Sequence, residues 1–307
     1  MIAPLIHIGL HRTGSTWFQT RVLDGRDGRP VNAVPDRAES TARLVLARDL
    51  DFDFDETRHW LEAQFQKAKE SGSASVLSNE RLSGNPAAGW HDFEPTIARL
   101  SALAPTARFL MVVREQHDLA RSIWLQQVRI GHSAGARDFW RAAARGDHRL
   151  PVPDPGFLRF DRVVEYLDRI VGRERVLVLP YELLRQDASD FLARISAFSG
   201  IHFPAPLDVG PVFAAPTTLE AAVLRRVNRW SVRSSLNRAP AMPWLEAPGR
   251  RLARFAGRCA TNAGERRRRA RIAAVVESRL EGLGLAESNR RLSSRLGIDL
   301  GRLGWAT

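Results

Sequence analysis

The feature that most constrains the fold is the segment IHIGLHRTGSTWFQTRVL at residues 6–23. Its apolar start, which ends at Gly9, predicts a buried strand, and the spacing of Trp17, Phe18 and Val22 predicts a helix after the loop. A strand, a tight turn and a helix N-terminus together form an anion site, because backbone N–H groups and the helix dipole favour negative charge there. The segment therefore predicts a phosphate-binding loop.

One position separates this loop from that of nucleoside triphosphatases. Gly9 and Gly14 fit the spacing G-x-x-x-x-G-K-[ST], but Ser15 stands where the pattern has lysine. That lysine reaches the β- and γ-phosphates, so its absence disfavours triphosphate hydrolysis. Arg12 offers a permanent cation inside the loop, suited to neutralising charge on a leaving phosphate. The loop remains suited to a 5′-phosphate that bears something other than a phosphate chain.

Apolar strands alternate with amphipathic helices over the first 200 residues. Such strands indicate a parallel sheet that helices cover on both faces, so we predict an α/β fold with a central parallel sheet flanked by helices. Ligands of such sheets gather at the carboxyl ends of the strands, where polar segments follow three of the four predicted strands. These polar segments lie at 11–17, 79–81 and 114–122, the strands at 3–9, 73–78, 107–113 and 175–180, and the helices at 15–23, 56–70, 117–130 and 157–171.

The pattern changes after Gly200. Prolines mark two irregular connections, at 204–216 and 240–248. Between and beyond them the apolar spacing is helical, which predicts a helical C-terminal extension. Its predicted helices lie at about 217–231, 263–281 and 286–296.

Positive charge is concentrated in this extension. Between Arg225 and Arg271 there are 14 arginines against Glu246 and Glu265, a net charge of +12 that equals the formal charge of the whole chain. A stretch of this kind favours an anionic partner, such as an acidic polysaccharide, a lipid head group or a nucleic acid. The alternative is a solvated helical surface from an arginine-rich proteome, since the chain has only two lysines.

Cellular location follows from what the chain lacks. No apolar run approaches the ~20 residues needed to cross a bilayer, and residues 4–9 are too short for the apolar part of a signal peptide. The single cysteine, Cys259, excludes an internal disulfide. We expect a cytoplasmic protein, with peripheral contact to the inner membrane as a further expectation from the arginines. We predict a single domain over 1–307, with an α/β nucleotide-binding core at 1–200 and a helical, arginine-rich extension at 201–307.

Two segments, HRTGSTW at 11–17 and FLMVVREQHDLARSIWLQ at 109–126, are similar to segments of one protein family. This family is the sulfotransferases that use 3′-phosphoadenosine 5′-phosphosulfate (PAPS). The first segment resembles the family's 5′-phosphosulfate loop, [KR]-[ST]-G-[ST]-[ST]-x. Arg12 takes the position usually held by lysine, as it does in several carbohydrate-modifying members, so the chain resembles the bacterial, carbohydrate-sulfotransferase-like branch.

The second segment resembles the family's 3′-phosphate pattern, V-x-R-x-P-x-D-x-x-x-S. Arg114, Asp118 and Ser122 match this pattern, and Gln116 replaces its proline. Two later segments, VLVLPYELLRQDASDFLARISAFSGI at 176–201 and AESNRRLSSRLGIDLGRLGW at 286–305, also resemble the family. The basic R-K-G segment of cytosolic members is not recognisable, which leaves part of the 3′-phosphate site unassigned.

The resemblance implies a P-loop-NTPase-like fold, PAPS as the donor and no catalytic metal. It gives Arg12 the role of stabilising the leaving group and assigns the 5′-phosphate to the loop amides and the 3′-phosphate to Arg114 with Ser122. For the side chain of Trp17, stacking on a purine and packing in the core are both open. The implied cofactor-binding residues are Arg12, Thr13, Gly14, Ser15, Thr16, Trp17, Arg114 and Ser122.

Sulfuryl transfer also needs a base that takes the proton of the acceptor. The family places a His or Glu after the strand that corresponds to 73–78, so Glu80 is the predicted catalytic base beside the catalytic Arg12. A structural ion pair of Glu80 with Arg81 or Arg12 is the alternative. His7 and His11 are the other candidate bases, and His132 is a candidate for an acceptor loop.

These observations predict a sulfotransferase that moves a sulfuryl group from PAPS to a hydroxyl or amine by in-line displacement. The expected acceptor is a glycan, a glycolipid or a small molecule, with peripheral contact to an anionic membrane or acidic polysaccharide through Arg225–Arg271. A P-loop kinase or other nucleotide-binding enzyme is the first alternative, disfavoured by the missing lysine. A basic nucleic-acid-binding protein is the second, disfavoured because few aromatic residues interleave the arginines, so no nucleic-acid partner is expected.

Overall fold

A computed structural model of the protein describes residues 2–25, 30–140, 152–204, 217–231 and 241–307. Two compact units form the chain. The first comprises Met1–Glu115, Gly156–Val212 and Gly284–Thr307, and the second Gln116–Pro155 and Phe213–Leu283. The single domain expected from the sequence stays a prediction. The first proline-rich connection, 204–216, lies outside the described residues except for Pro204. The expected irregular connection at 240–248 is wrong from Pro243 onwards, where a helix begins, because proline is tolerated in the first turn of a helix.

The first unit is built around a sheet of five parallel strands in the order β2-β3-β1-β4-β5. Its strands are nearly all apolar and buried, because helices cover both faces of a parallel sheet. The sequence predicts four of the five and misses β2, which is two residues long and has no apolar run. The strands are β1 (Leu5–His7), β2 (Val31–Asn32), β3 (Ser75–Ser78), β4 (Arg108–Val113) and β5 (Val176–Pro180).

Thirteen α-helices are present in the described residues. The predicted helices 56–70, 117–130 and 157–171 correspond to α3, α5 and α7, which confirms the strand–helix alternation. The helices are α1 (Ser15–Trp17), α2 (Arg37–Thr41), α3 (Phe54–Glu70), α4 (Phe93–Leu103), α5 (Gln116–Arg129), α6 (Ala136–Phe139), α7 (Phe160–Val171), α8 (Tyr181–Gln186), α9 (Ala188–Ser199), α10 (Thr218–Ser231), α11 (Pro243–Arg258), α12 (Asn262–Leu280) and α13 (Leu285–Leu296).

A hydrophobic core on one face of the sheet fixes the start of α1. This helix continues into a π-helical turn, Phe18–Val22, whose apolar side chains pack with Leu5 of β1 and Phe191 of α9. The side chain of Trp17 belongs to the same buried cluster. The indole is therefore packed in the core, and stacking on a purine stays a prediction. The core thus holds the loop between β1 and α1 in one position.

The second unit consists of α5, α6, α10, α11 and α12. Helix α10 packs against α5 and α11, and α12 packs against α5 and α6. The side-chain amide of Asn228 in α10 donates to the carbonyl oxygens of Val128 (2.7 Å) and His132 (3.0 Å), which caps the C-terminal end of α5. No helix in the described parts of the chain is long and apolar enough to span a bilayer.

Candidate functional site

The loop between β1 and α1 contains two residues with left-handed backbone conformation, Arg12 (φ 70°) and Gly14 (φ 88°). Glycine adopts this conformation readily, but for arginine it costs about 1–3 kcal/mol and persists only where surrounding contacts impose it. Two contacts do so here. The Nη1 of Arg114 donates to the Arg12 carbonyl (3.1 Å), and the Thr13 hydroxyl donates to the Leu10 carbonyl (2.6 Å). The loop is therefore held in a strained conformation, and residues in such conformations cluster at functional sites.

Close packing at Gly9 makes the turn tight. A Cβ at this position would lie 2.7 Å from the Ser15 hydroxyl oxygen and 2.8 Å from Cε1 of His7. Neither neighbour yields easily, because His7 is buried in β1 and bonded to Ser78. The end of β1 and the start of α1 consequently approach more closely than any other residue at position 9 would allow.

The ends of β4 and β5 support the loop from one side. The guanidinium of Arg114 lies over the ring of Tyr181 (5.1 Å to the centroid), so it contacts both that ring and the loop carbonyl. Tyr181 and Leu184, both in α8, pack against Gly14, where a Cβ would lie 2.9 Å from Leu184 Cδ2. Tyr181 is a site residue that the sequence reasoning missed, although the segment VLVLPYELL was recognised as similar to the family.

A half-buried carboxylate, Glu182, lies next to this contact. Its Oε1 accepts from the backbone N–H of Glu115 (3.1 Å). Burial raises the pKa of the Glu182 carboxyl above its ordinary value and outweighs the opposing effects of that hydrogen bond and of Arg114. Glu182 thus fixes the backbone that follows Arg114, and it was not predicted as a site residue.

Glu80 follows β3 and forms an ion pair with Arg37, with Nη1 and Oε1 2.8 Å apart. The expected structural ion pair of Glu80 thus has Arg37 as its partner, whereas Arg81 pairs with Asp92 (2.6 Å). Pairing of Glu80 with Arg12 stays a prediction. Burial alone raises the pKa of the Glu80 carboxyl, but its own backbone N–H, Arg37 and the His11 side chain together lower it below the ordinary value. Glu80 is therefore ionised at neutral pH and electrostatically linked to the loop through His11.

His11 lies in the loop and its Nε2 contacts the Gly84 carbonyl (3.2 Å). Because a carbonyl only accepts, Nε2 carries the proton, which leaves Nδ1 as the basic nitrogen of the neutral ring. Burial lowers the His11 pKa, against the opposing attraction of Glu80. In contrast, His7 is sequestered within β1, where its Nδ1 lies 2.8 Å from the Ser78 hydroxyl and burial lowers its pKa to about 4.

The remaining predicted residues divide between the two units. Ser122 is buried in the second turn of α5, and His132 follows α5 with its ring edge-on to Phe139 (5.2 Å); all three belong to the second unit. A joint grip of Arg114 and Ser122 on one phosphate stays a prediction. Within the described ranges, no group of three or more His, Cys, Asp or Glu side chains is arranged to hold a metal ion. The residues that the structure gathers at the ends of β1, β3 and β4 are Arg12, Thr13, Gly14, Ser15, Thr16, Arg114 and Glu80.

Comparisons with known proteins give structural matches only. No protein-family model and no curated protein sequence matches the chain. A sulfotransferase from Alicyclobacillus acidocaldarius superposes with a TM-score of 0.52 at 15% identity, over 99% of both chains. The sulfotransferase domain from the Synechococcus PCC 7002 olefin synthase matches with 15% identity and a TM-score of 0.39, over 82% of this chain and 93% of that one.

A third match, the sulfotransferase domain from the curacin biosynthetic pathway, has 14% identity and a TM-score of 0.38, over 82% of this chain and 96% of that domain. The two matches with the lower TM-scores are too distant to support an assignment of the fold. The first match spans essentially the whole of both chains and defines the fold. The protein has a sulfotransferase-type, P-loop-NTPase-like α/β fold, as predicted.

Proposed function

We propose that this protein transfers a sulfuryl group from PAPS to a hydroxyl or amine of an acceptor. The observation that carries the proposal is the strained loop at the end of β1, held by Arg114 and α8 within a sulfotransferase-type fold. Residues 12 and 14 have left-handed backbone conformations. Such conformations turn successive backbone N–H groups toward one point and so form an anion-binding concavity. A Cβ at Gly9 would meet the buried side chains of His7 and Ser15, so the turn between β1 and α1 is as tight as a phosphate-binding loop needs.

In this proposal the acceptor oxygen or nitrogen attacks sulfur, the bond from sulfur to the 5′-phosphate oxygen breaks, and 3′,5′-adenosine bisphosphate leaves. The loop amides of residues 13–17 bind the 5′-phosphate and Arg12 stabilises the negative charge that develops on it. Arg114 and Ser122 bind the 3′-phosphate. A donor of this type contributes on the order of 10²- to 10³-fold to the rate.

The proposed base is Glu80, and His11 is the alternative. Glu80 is ionised and ready to accept a proton, but its lowered pKa makes it a weak base. His11 is neutral at physiological pH with Nδ1 available as the basic nitrogen, and it lies in the loop itself. Because the two side chains are electrostatically linked, Glu80 also supports a base at His11 by stabilising its protonated form.

The acceptor is proposed to be a glycan or glycolipid that carries an anionic group, or a small molecule of that kind. A cavity of about 350 Å³ within the second unit supports this class, at the lower end of the range for small-molecule sites. Arg137, Arg225, Arg268 and Arg271 line it beside an apolar wall that includes Trp124 and Ile272. A cytoplasmic location and contact of Arg225–Arg271 with an anionic membrane or acidic polysaccharide belong to the same proposal.

Ligand-dependent thermal stability tests the donor. Saturation at about 100 times Kd stabilises the folded state by about 2.7 kcal/mol, so 3′,5′-adenosine bisphosphate is expected to raise the unfolding temperature. Stabilisation by ATP with Mg²⁺ alone would instead support a kinase. The reaction itself is measured as transfer of labelled sulfuryl from PAPS to extracted glycans, glycolipids and small metabolites; binding of the bisphosphate without transfer to any acceptor would count against the enzyme activity only.

A further inference from the structure

Large apolar side chains are exposed in one part of the second unit. Of the nine that are exposed among the described residues, five lie between Trp230 and Phe255. Trp230 is 66% exposed, Trp244 70%, Leu252 57% and Phe255 64%. A concentration of aromatic and aliphatic surface in so short a stretch marks an interaction site, whereas scattered single residues would not.

Three of these side chains form a stripe along α11. Trp244, Leu252 and Phe255 recur at i, i+8 and i+11, which places them on one side of a helix with 3.6 residues per turn. The stripe does not face α10. Gly249 and Ala253, about a third of a turn away, occupy the buried side, where Gly249 meets Val227 of α10.

Trp230 is a further exposed aromatic side chain, at the end of α10. Gly249 packs against Val227 and Gly257 against Glu220, so α10 and α11 run antiparallel. By this register Trp230, at the end of α10, lies beside the start of α11, where Trp244 is exposed. We name the three side chains Trp244, Leu252 and Phe255 the apolar stripe.

Exposed arginines flank the apolar stripe. At 100° per residue, Arg251, Arg254 and Arg258 follow one another along the edge of α11 next to it, and all three are exposed. Within the described residues, none of the three forms an ion pair with a carboxylate. The helix therefore presents a band of uncompensated positive charge beside a band of apolar surface.

We propose that α11 docks this protein onto the surface of a bilayer that contains anionic lipid, through its apolar stripe and the arginines beside it. Helices that lie in the plane of a membrane interface carry Trp, Phe and Leu on one face and Lys or Arg beside it, because the apolar face enters the acyl boundary while the cations meet lipid phosphates. An acidic polysaccharide would neutralise the arginines but leave the stripe in water. A second copy would bring like-charged rows together. This inference rests on the membrane contact proposed above for Arg225–Arg271 and assigns that contact to α11. Loss of vesicle binding would leave the sulfuryl-transfer proposal unaffected.

Co-sedimentation of the full chain with vesicles tests the docking. We expect binding to phosphatidylcholine vesicles that contain about a quarter phosphatidylglycerol, little binding to pure phosphatidylcholine, and release as salt rises above about 0.5 M. The double variant Trp244→Ser/Phe255→Ser is expected to lower the partition coefficient by about tenfold or more, because the apolar contact is lost. Its control is Leu46→Ser/Leu50→Ser, two exposed apolar side chains of the first unit, which should bind as the unsubstituted protein does.

A second pair of variants separates local charge from net charge. Arg251→Gln/Arg254→Gln should lower binding about tenfold, whereas Arg266→Gln/Arg267→Gln on α12, with the same loss of charge, should lower it far less. Equal losses in the two pairs, or unchanged binding in the stripe variant, would overturn the proposal. Two further results would also overturn it. One is binding of soluble heparin that is lost in the stripe variant, and the other is self-association in sedimentation equilibrium without lipid that is lost in the same variant. Circular dichroism confirms that each variant is folded.

Discussion

Substitution of Gly14 by alanine isolates the role of the loop conformation. Gly14 has φ 88°, and a non-glycine residue in the left-handed region costs about 1–2 kcal/mol. The added Cβ also lies 2.9 Å from Leu184 Cδ2, the end of a side chain that can rotate at a cost of about 0.5–1.5 kcal/mol. We therefore expect Gly14→Ala to lower the free energy of unfolding by about 2–3 kcal/mol.

Gly200→Ala is the matched control. Gly200 ends α9 with φ 74°, and a Cβ added there would meet no heavy atom within 4 Å, so the same strain arises without a clash and away from the loop. The effect of alanine on the unfolded chain is equal in the two variants and cancels in the comparison. The difference in stability between them reports only the contact of residue 14 with α8.

The affinity for 3′,5′-adenosine bisphosphate then shows whether the conformation of residue 14 matters for binding as well as for stability. An alanine at residue 14 relieves its strain by rotating the backbone, which turns the loop N–H groups away from their common direction. Gly14→Ala should therefore weaken the binding of 3′,5′-adenosine bisphosphate by tenfold or more, which corresponds to about 1.4 kcal/mol. Gly200→Ala should bind it with unchanged affinity. The measurements are chemical denaturation and isothermal titration calorimetry. Unchanged affinity in Gly14→Ala, or equal losses in both variants, would refute the assignment of this loop to the 5′-phosphate.

Three further predictions use pairs of variants or a pH series. Tyr181→Leu should weaken the binding of the bisphosphate several-fold, measured by calorimetry, because Arg114 loses the ring that positions it. The control Tyr166→Leu removes a similar ring from beneath Arg169 (5.2 Å) and should leave the affinity unchanged. Glu80→Gln should lower kcat by about 10²-fold or more with bisphosphate affinity kept; a larger loss in His11→Gln would move the base to His11. Burial lowers the His7 pKa from 6.5 to about 4, so the folded state binds fewer protons and loses about 3 kcal/mol as pH falls from 6.5 to 4. Denaturation of His7→Asn over that range should lack this slope.

The sheet could be predicted because local patterns determine it. Each long strand is a continuous apolar run, and such runs alternating with helices have few solutions other than a covered parallel sheet. The misses have equally local causes. Strand β2 is too short to form a run, and α11 contains Pro248 inside the helix, which indicates a break when only the sequence is considered.

The site divides in the same way between local and distant contacts. The loop was visible because its glycines and strand lie within a few residues of each other. Arg37 could not be predicted as a site residue, because it pairs with Glu80 across 43 positions of the chain and no spacing pattern links the two. Tyr181 could not be predicted either, because its contacts with Arg114 and Gly14 join residues that are far apart in the sequence.

The distant contacts explain how a strained arginine persists at position 12. Its left-handed backbone is not favourable by itself, yet its carbonyl is bonded by Arg114, whose guanidinium is in turn held over Tyr181. Strain of about 1–3 kcal/mol at Arg12 is thus offset by contacts from two other strand ends. Because these contacts are all made within the protein, they restrict the loop to one conformation, and less conformational entropy is lost when an anion binds. The parallel sheet is what makes this possible, since it brings the ends of β1, β4 and β5 to one edge.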